Sequence, residues 1–237
     1  MSPRLRAITL VLFTVAGLTA QAADTTRGIF SRSAKDIWGT KRLVIPSPDG
    51  RKSINVDPPT NTNSDEPHTV ILRANGKSYP TGIGSWVNSE AAWAPDSKAF
   101  FVTYSDGGNV GTYHIKIFYV TNSGLRVLEP IPNGRTLFQP RCFDPERPNV
   151  GAIKWIGADS GSLLIAVEVP PHSSCASMGT FEAFEIELPS GKVVSHYDQL
   201  TAKKLFKSDL GGELLNADDV CIRKPQSCVP AGLDKQK

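Results

Sequence analysis

One short stretch of the sequence decides the fold, and it reads Trp93-Ala94-Pro95-Asp96-Ser97-Lys98-Ala99-Phe100-Phe101-Val102. Pro95 and Asp96 favour a tight turn, because proline restricts φ and an aspartate side chain can bond nearby backbone N–H groups. The apolar and aromatic residues on both sides of the turn favour strands. The stretch therefore predicts an antiparallel hairpin with two buried strands.

The same pattern recurs over residues 41–198, where short β-branched or aromatic runs alternate with turn residues. Six hairpins are predicted, in three pairs, around the turns Ser47-Pro48-Asp49-Gly50, Asn75-Gly76, Pro95-Asp96-Ser97-Lys98, Asn122-Ser123-Gly124, Ala158-Asp159-Ser160-Gly161 and Pro189-Ser190-Gly191. This rhythm is typical of antiparallel sheets. The sequence thus predicts an all-β domain made of repeated double hairpins.

Residues 93–102 resemble the repeat motif of TolB-like and WD40-like β-propellers, in which an aromatic residue, a Pro-Asp turn and a hydrophobic strand recur once per four-stranded blade. In the first repeat Pro46 replaces the aromatic residue, and in the third Trp155 and Asp159 match loosely, with one extra residue between them. The resemblance implies a propeller-like fold. Closed propellers have roughly four to eight blades, so three double hairpins predict an open or incomplete array with covered edges. Residues 28–39 can supply one short strand but not the four of a further blade.

The chain after residue 199 breaks the strand pattern. Apolar residues approximate helical spacing there, namely Leu205, Phe206, Leu210, Leu214 and Leu215. Ser208 is a candidate helix cap, whereas Gly211-Gly212 weakens the helical pattern. We expect a β domain over residues 23–199, followed by a tail over residues 200–237 in which a short helical segment covers an open sheet edge.

The first 22 residues have the pattern of a secretory signal peptide. Arg4 and Arg6 precede an apolar run over residues 7–18, and Ala20 and Ala22 are small residues of the kind that a signal peptidase recognises. The run is shorter than the roughly 17–25 residues of a membrane-spanning helix. We therefore predict a periplasmic or secreted protein without a membrane span after cleavage.

The overall composition excludes several classes of protein. The chain has 237 residues, of which 40% are hydrophobic and 21% charged, with 26 Lys and Arg against 23 Asp and Glu and a net charge of +3. These values are those of a globular domain and not of a disordered or multi-span membrane protein. A charge so close to balance also argues against nucleic-acid binding driven by net charge.

Four cysteines, Cys142, Cys175, Cys221 and Cys228, favour two disulfides in an exported protein. Their spacings do not match a zinc knuckle or a Cys-x-x-Cys redox site. Cys142 precedes and Cys175 follows the hairpin of residues 151–169, whose two ends lie side by side. We therefore predict a Cys142–Cys175 bridge and a Cys221–Cys228 bridge that ties down the tail.

No motif for catalysis, cofactor or metal binding is present, and we predict no cofactor and no metal site. The segment Asp106-Gly107-Gly108-Asn109 is interpreted as a turn and not as a calcium loop. The candidate binding surface is the loop pair that a Cys142–Cys175 bridge would join, over residues 139–149 and 170–179. Its candidate binding residues are polar, namely Arg141, Asp144, Glu146, Arg147, His172 and Ser173.

The sequence therefore predicts an exported protein that recognises a protein or glycan partner through loops on a rigid β scaffold. Two other classes stay open. One is a periplasmic hydrolase or lyase, in which Asp144 or Glu146 and His172 would act as acid and base. The other is an inhibitor or immunity-type protein that blocks one enzyme.

Overall fold

The computed structural model describes residues 28–37, 42–57, 68–85, 88–105, 107, 111–129, 131, 136–137, 147–171, 173, 175 and 177–224. These residues form an all-β fold of three antiparallel sheets, followed by short helices. The strands are β1 (Lys35–Asp36), β2 (Leu43–Pro46), β3 (Lys52–Asp57), β4 (His68–Ala74), β5 (Lys77–Ser85), β6 (Glu90–Trp93), β7 (Ala99–Ser105), β8 (Tyr113–Thr121), β9 (Gly124–Leu128), β10 (Asn149–Ile156), β11 (Ser162–Glu168), β12 (Phe181–Glu187) and β13 (Lys192–Asp198). The helices are α1 (Gln199–Leu205), α2 (Gly212–Asn216) and α3 (Val220–Arg223).

Each sheet is a meander of hairpins. Sheet 1 has the order β2-β3-β4-β5, sheet 2 the order β1-β6-β7-β8-β9, and sheet 3 the order β10-β11-β12-β13. All six hairpins expected from the sequence are present. Asn75 and Gly76 have the positive φ angles, 51° and 70°, that a type I′ turn requires. The all-β prediction is confirmed. The single short strand predicted in residues 28–39 is also present, because β1 pairs with β6.

The sheets pack face to face because successive residues of a strand point to opposite sides. In β7, Phe100 packs in the cluster shared with sheet 1, and Phe101 packs in the cluster shared with sheet 3. In β11, Leu163 packs toward sheet 2 and Leu164 packs toward the helical tail. The central strands β7 and β11 of sheets 2 and 3 are therefore buried on both faces, which accounts for their continuous apolar runs.

Equivalent hydrogen bonds join successive sheets. The Trp93 indole Nε1–H donates to the carbonyl oxygen of Ile45 at 3.1 Å, and the Trp155 indole donates to the carbonyl oxygen of Ala92 at 3.4 Å. Ile45 precedes Pro46 and Ala92 precedes Trp93, so the two acceptors occupy the same repeat position. The recurring tryptophan thus connects each sheet to the one before it.

The first turns of the three sheets also contact each other. The backbone N–H of Asp49 donates to Ser97 Oγ at 3.0 Å. The backbone N–H and the hydroxyl of Ser160 donate to Asp96 Oδ2 at 3.3 and 3.1 Å. The repeated turn sequence therefore stabilises contacts between sheets as well as the hairpins themselves.

Removing the indole donors should destabilise the protein. Trp93→Phe and Trp155→Phe each keep an aromatic ring but leave a carbonyl oxygen without its N–H donor. We expect each substitution to lower the free energy of unfolding by about 1–2 kcal/mol, measured by urea denaturation. Variants as stable as the parent would show that these bonds contribute nothing to the stacking of the sheets.

The two ends of the stack differ. Pro46 occupies the repeat position where the next sheets have a tryptophan, so sheet 1 has no equivalent donor toward a preceding sheet. At the other end, Phe30, Ala202, Leu210 and Leu214 pack on the outward face of sheet 3.

Within the described part of the chain, no helix is long and apolar enough to cross a membrane.

The helical tail is confirmed, but two details of its prediction are wrong. The helices cover the face of sheet 3 and not an edge, because that face carries the apolar side chains left to be buried. Ser208 lies in the turn after α1 and does not cap a helix. Asp198 caps α1 by accepting the Thr201 N–H at 2.7 Å, and Gly211 precedes α2 without a side-chain cap.

Candidate functional site

The segments that carry the predicted binding loops meet at one end of sheet 3. Asn149 in β10 pairs with Glu168 in β11, so the chain before β10 and the chain after β11 lie side by side. This is the juxtaposition on which the sequence-based hypothesis depended. Arg147, just before β10, is exposed at this end of the sheet.

The other predicted site residues are placed differently or are not described. Arg141, Asp144, Glu146 and His172 lie outside the described residues. Ser173 is buried, and its hydroxyl accepts the Cys175 N–H at 3.4 Å while its own N–H donates to the Pro170 carbonyl. Ser173 therefore stabilises the local turn.

Cys175 is buried and disulfide-bonded. The side chains of Cys142, Cys221 and Cys228 lie outside the described residues. The Cys142–Cys175 and Cys221–Cys228 pairings therefore stay predictions.

A cleft of about 450 Å³ opens beside the loop of residues 170–179. Its described lining residues come from three segments, namely β11, the loop of residues 170–179, and residues 212–218 in and after α2. They are Glu168, Pro171, Gly179, Gly212, Glu213, Asn216, Ala217 and Asp218. Three of these side chains are carboxyl groups, and none is basic. We call this site the acidic cleft.

Glu168 is the buried carboxyl group of the acidic cleft, with 1% of its surface exposed. Its Oε2 accepts the Asn149 Nδ2–H at 2.9 Å, and Asn149 Oδ1 in turn accepts the Tyr113 N–H at 3.0 Å. Burial, together with repulsion from Glu213, raises the pKa of Glu168 to about 8. The group is therefore mostly protonated at pH 7 and can ionise when a positive charge approaches.

Glu90 in β6 is a second fully buried carboxyl group. Its Oε1 accepts the N–H groups of Phe30 and Ser31, both at 3.1 Å, and its Oε2 accepts the N–H of Ile29 at 2.7 Å. Burial raises the pKa of Glu90 to about 8, although the three donors favour the ionised form. Glu90 holds residues 29–31 against sheet 2, which is a structural role.

Tyr113 connects these groups electrostatically. Burial, and then the charge of Glu213, raises the pKa of its phenol, and Glu168 and Glu90 act in the same direction. The charges of three glutamates therefore act on one tyrosine.

Sequence reasoning missed Glu90 and Glu168 because each lies at the end of an apolar strand, Glu90 at the start of β6 and Glu168 at the end of β11, and matches no motif. A signal was nevertheless present. Glu168 is flanked by Val167 and Val169, so the strand pattern predicts burial for a residue type that is almost never fully buried without a partner. A carboxyl group in that context is a candidate for a shifted pKa.

Among the described residues, no group of three or more His, Cys, Asp or Glu side chains is placed to hold a metal ion. Comparison of the chain with family models, with curated proteins and with solved structures gives no significant match.

Proposed function

We propose that this protein is a binding protein whose acidic cleft, formed by Glu168, Glu213 and Asp218, receives a lysine or arginine side chain of a protein partner. The observation that carries the proposal is a buried glutamate lining an open cleft, with two further carboxyl groups and no basic group among its described lining residues. Of the partner classes expected from the sequence, a protein is favoured. Lysine and arginine carry a cation on a long side chain that can reach into a cleft.

The physical basis is electrostatic. Glu213 and Asp218 attract a cation to the mouth of the cleft. A cation near Glu168 stabilises its ionised form, so binding releases a proton from a group whose pKa is about 8 in the free protein. The affinity should therefore increase as the pH rises from 6 to 9.

A tetralysine peptide is the probe for this prediction, titrated calorimetrically into the chain without residues 1–22. We expect Glu213→Gln with Asp218→Asn to weaken binding about tenfold or more, because two attractive charges are lost. Glu187→Gln with Asp159→Asn is the matched control, since both residues are exposed acids outside the cleft. Equal weakening by the control pair, or no binding at any pH, would contradict the proposal.

A hydrolase is the second candidate function. A buried glutamate that stays protonated at neutral pH beside other carboxyl groups is the arrangement of a general acid. Glu168→Gln cannot donate a proton, so a hydrolase would lose turnover on a panel of glycans and esters. A binding protein would show no turnover before the substitution.

A tight complex with a single enzyme would instead identify an inhibitor or immunity-type protein.

We further propose that the three sheets are blades of an open propeller-like array of the TolB-like and WD40-like kind. The equivalent bonds from Trp93 to Ile45 and from Trp155 to Ala92 support this relationship between successive sheets.

We also propose that the protein is exported by a signal peptide of residues 1–22. N-terminal sequencing of the secreted protein tests the cleavage, and peptide mapping without reduction tests the cysteine pairing.

A further inference from the structure

A second cleft, of about 420 Å³, lies at the turn end of sheet 1, between the β2–β3 and β4–β5 turns. The strand register aligns Pro46, Ser53, Arg73 and Ser78 across the four strands of this sheet. These residues alternate with those that pack on sheet 2, so they face away from the stack. Three inter-strand spacings give the face a width of about 14 Å, enough for an extended ligand with more than one charged group.

The groove is basic. Arg51, Lys52, Arg73 and Lys77 line it, and none of its described lining residues is acidic. Arg51 and Lys77 are exposed and form no ion pair with a described residue. Lys52 contacts Asp49 at 3.0 Å and Arg73 lies 3.7 Å from Asp57, so these two cations are partly neutralised. Two to three unbalanced positive charges therefore line this groove. Arg73 faces away from the stack, whereas Lys77 is in register with Ala74 and lines the groove from the other side of its strand.

The remaining lining indicates what kind of anion fits. Apart from the cations, the groove presents Ser53, Ser78, Asn75 and two glycine-containing turns, and its apolar side chains are those of Pro46 and Ala74. Protein interfaces are centred on buried aromatic or large apolar residues, and the described lining contains none. Hydroxyl, amide and cationic donors match a ligand that is rich in hydroxyl groups and carries anionic substituents.

We propose that this basic groove on sheet 1 binds an anionic oligosaccharide through its carboxylate or sulfate groups. Arg51, Arg73 and Lys77 contact the anionic groups, and Asn75 and the two serines bond the hydroxyl groups. The site is distinct from the acidic cleft, which takes a cation at the opposite end of the stack. With both sites occupied, the protein would bind an anionic glycan and a basic protein partner at the same time.

The test titrates the chain without residues 1–22 with four probes of equal length. These are a sulfated heparin hexasaccharide, hexagalacturonate, uncharged maltohexaose and the oligonucleotide dT6. We expect both anionic sugars to bind more tightly than dT6, and maltohexaose not to bind measurably. Arg51→Ser with Lys77→Ser should weaken sugar binding about tenfold and reduce its salt dependence. The matched control is Lys192→Ser with Lys204→Ser, exposed cations outside the groove that change the net charge equally.

Asn75→Asp is a second variant that keeps the turn. Aspartate, like asparagine, tolerates the positive φ angle of this position, so the substitution adds a carboxylate to the groove without changing the fold. We expect about fivefold weaker binding of the anionic sugars, whereas Asn122→Asp in the exposed β8–β9 turn should change affinity less than about twofold. Equal effects of groove and control variants, or no sugar binding, would overturn the proposal. Binding of dT6 as tight as that of the sugars would replace it with general polyanion binding.

Discussion

Gly151→Ala is expected to destabilise the protein by about 3 kcal/mol. A Cβ atom on Gly151 would lie 2.2 Å from Cγ and 2.5 Å from Cδ2 of Phe30, far inside van der Waals contact. The Phe30 ring is fully buried and packs edge-on against Tyr113 at 5.2 Å. Its backbone is held by Glu90, so the ring has no room to move aside.

A double-mutant cycle tests the cause of this destabilisation. Phe30→Ala alone should cost about 3–5 kcal/mol, because it removes a buried ring. Once the ring is gone, adding Gly151→Ala should cost less than about 1 kcal/mol. Urea denaturation of the four proteins measures the coupling. Additive costs would contradict the view that Gly151 exists to admit Phe30.

The second large effect concerns the pH dependence of stability. Burial raises the pKa of Glu168 and that of Glu90 from 4.5 to about 8. Between these values the folded protein keeps protons that the unfolded chain has released, so the free energy of unfolding falls as the pH rises. The contribution of each group is fully present below about pH 4.5 and is lost by about pH 8, at about 1.4 kcal/mol per pH unit.

Glu168→Gln isolates one of the two groups. The amide oxygen of glutamine can still accept the Asn149 Nδ2–H, whereas the titrating proton is gone. We expect the decline in stability between pH 5 and 8 to be roughly halved, because Glu90 keeps its own contribution. Glu187→Gln, an exposed control on sheet 3, should leave the slope unchanged. A slope that is unaffected by Glu168→Gln would show that this carboxyl group does not retain its proton in the folded protein.

The Gly151 effect and the contribution of Glu90 to the pH effect depend on how residues 28–31 are held. Residues 29–31 bond Glu90 on one side, while the N–H groups of Gly211 and Gly212 donate to the carbonyl oxygens of Phe30 and Gly28, both at 2.9 Å. A Cβ atom on Gly211 would lie 2.4 Å from the Ile29 carbonyl oxygen. Gly211, one of the two glycines that weaken the helical pattern, is therefore needed for close contact between residues 28–31 and the start of α2.

The amino-acid sequence by itself determined the strands and turns. Apolar alternation and turn residues such as Asn75-Gly76 act between neighbours in the chain, so each hairpin can be predicted from its own residues. The Pro-Asp turns and the tryptophans were also visible as a repeat, although their bonds between sheets were not.

The acidic cleft and the basic groove were decided only by the tertiary structure. Glu168 meets Glu213 because the tail packs on sheet 3, and the basic groove forms because the β2–β3 and β4–β5 turns lie at the same end of sheet 1. The contact between Glu90 and Phe30 joins residues 60 positions apart. No local periodicity encodes such contacts, because they depend on which apolar faces remain to be buried after the hairpins have formed.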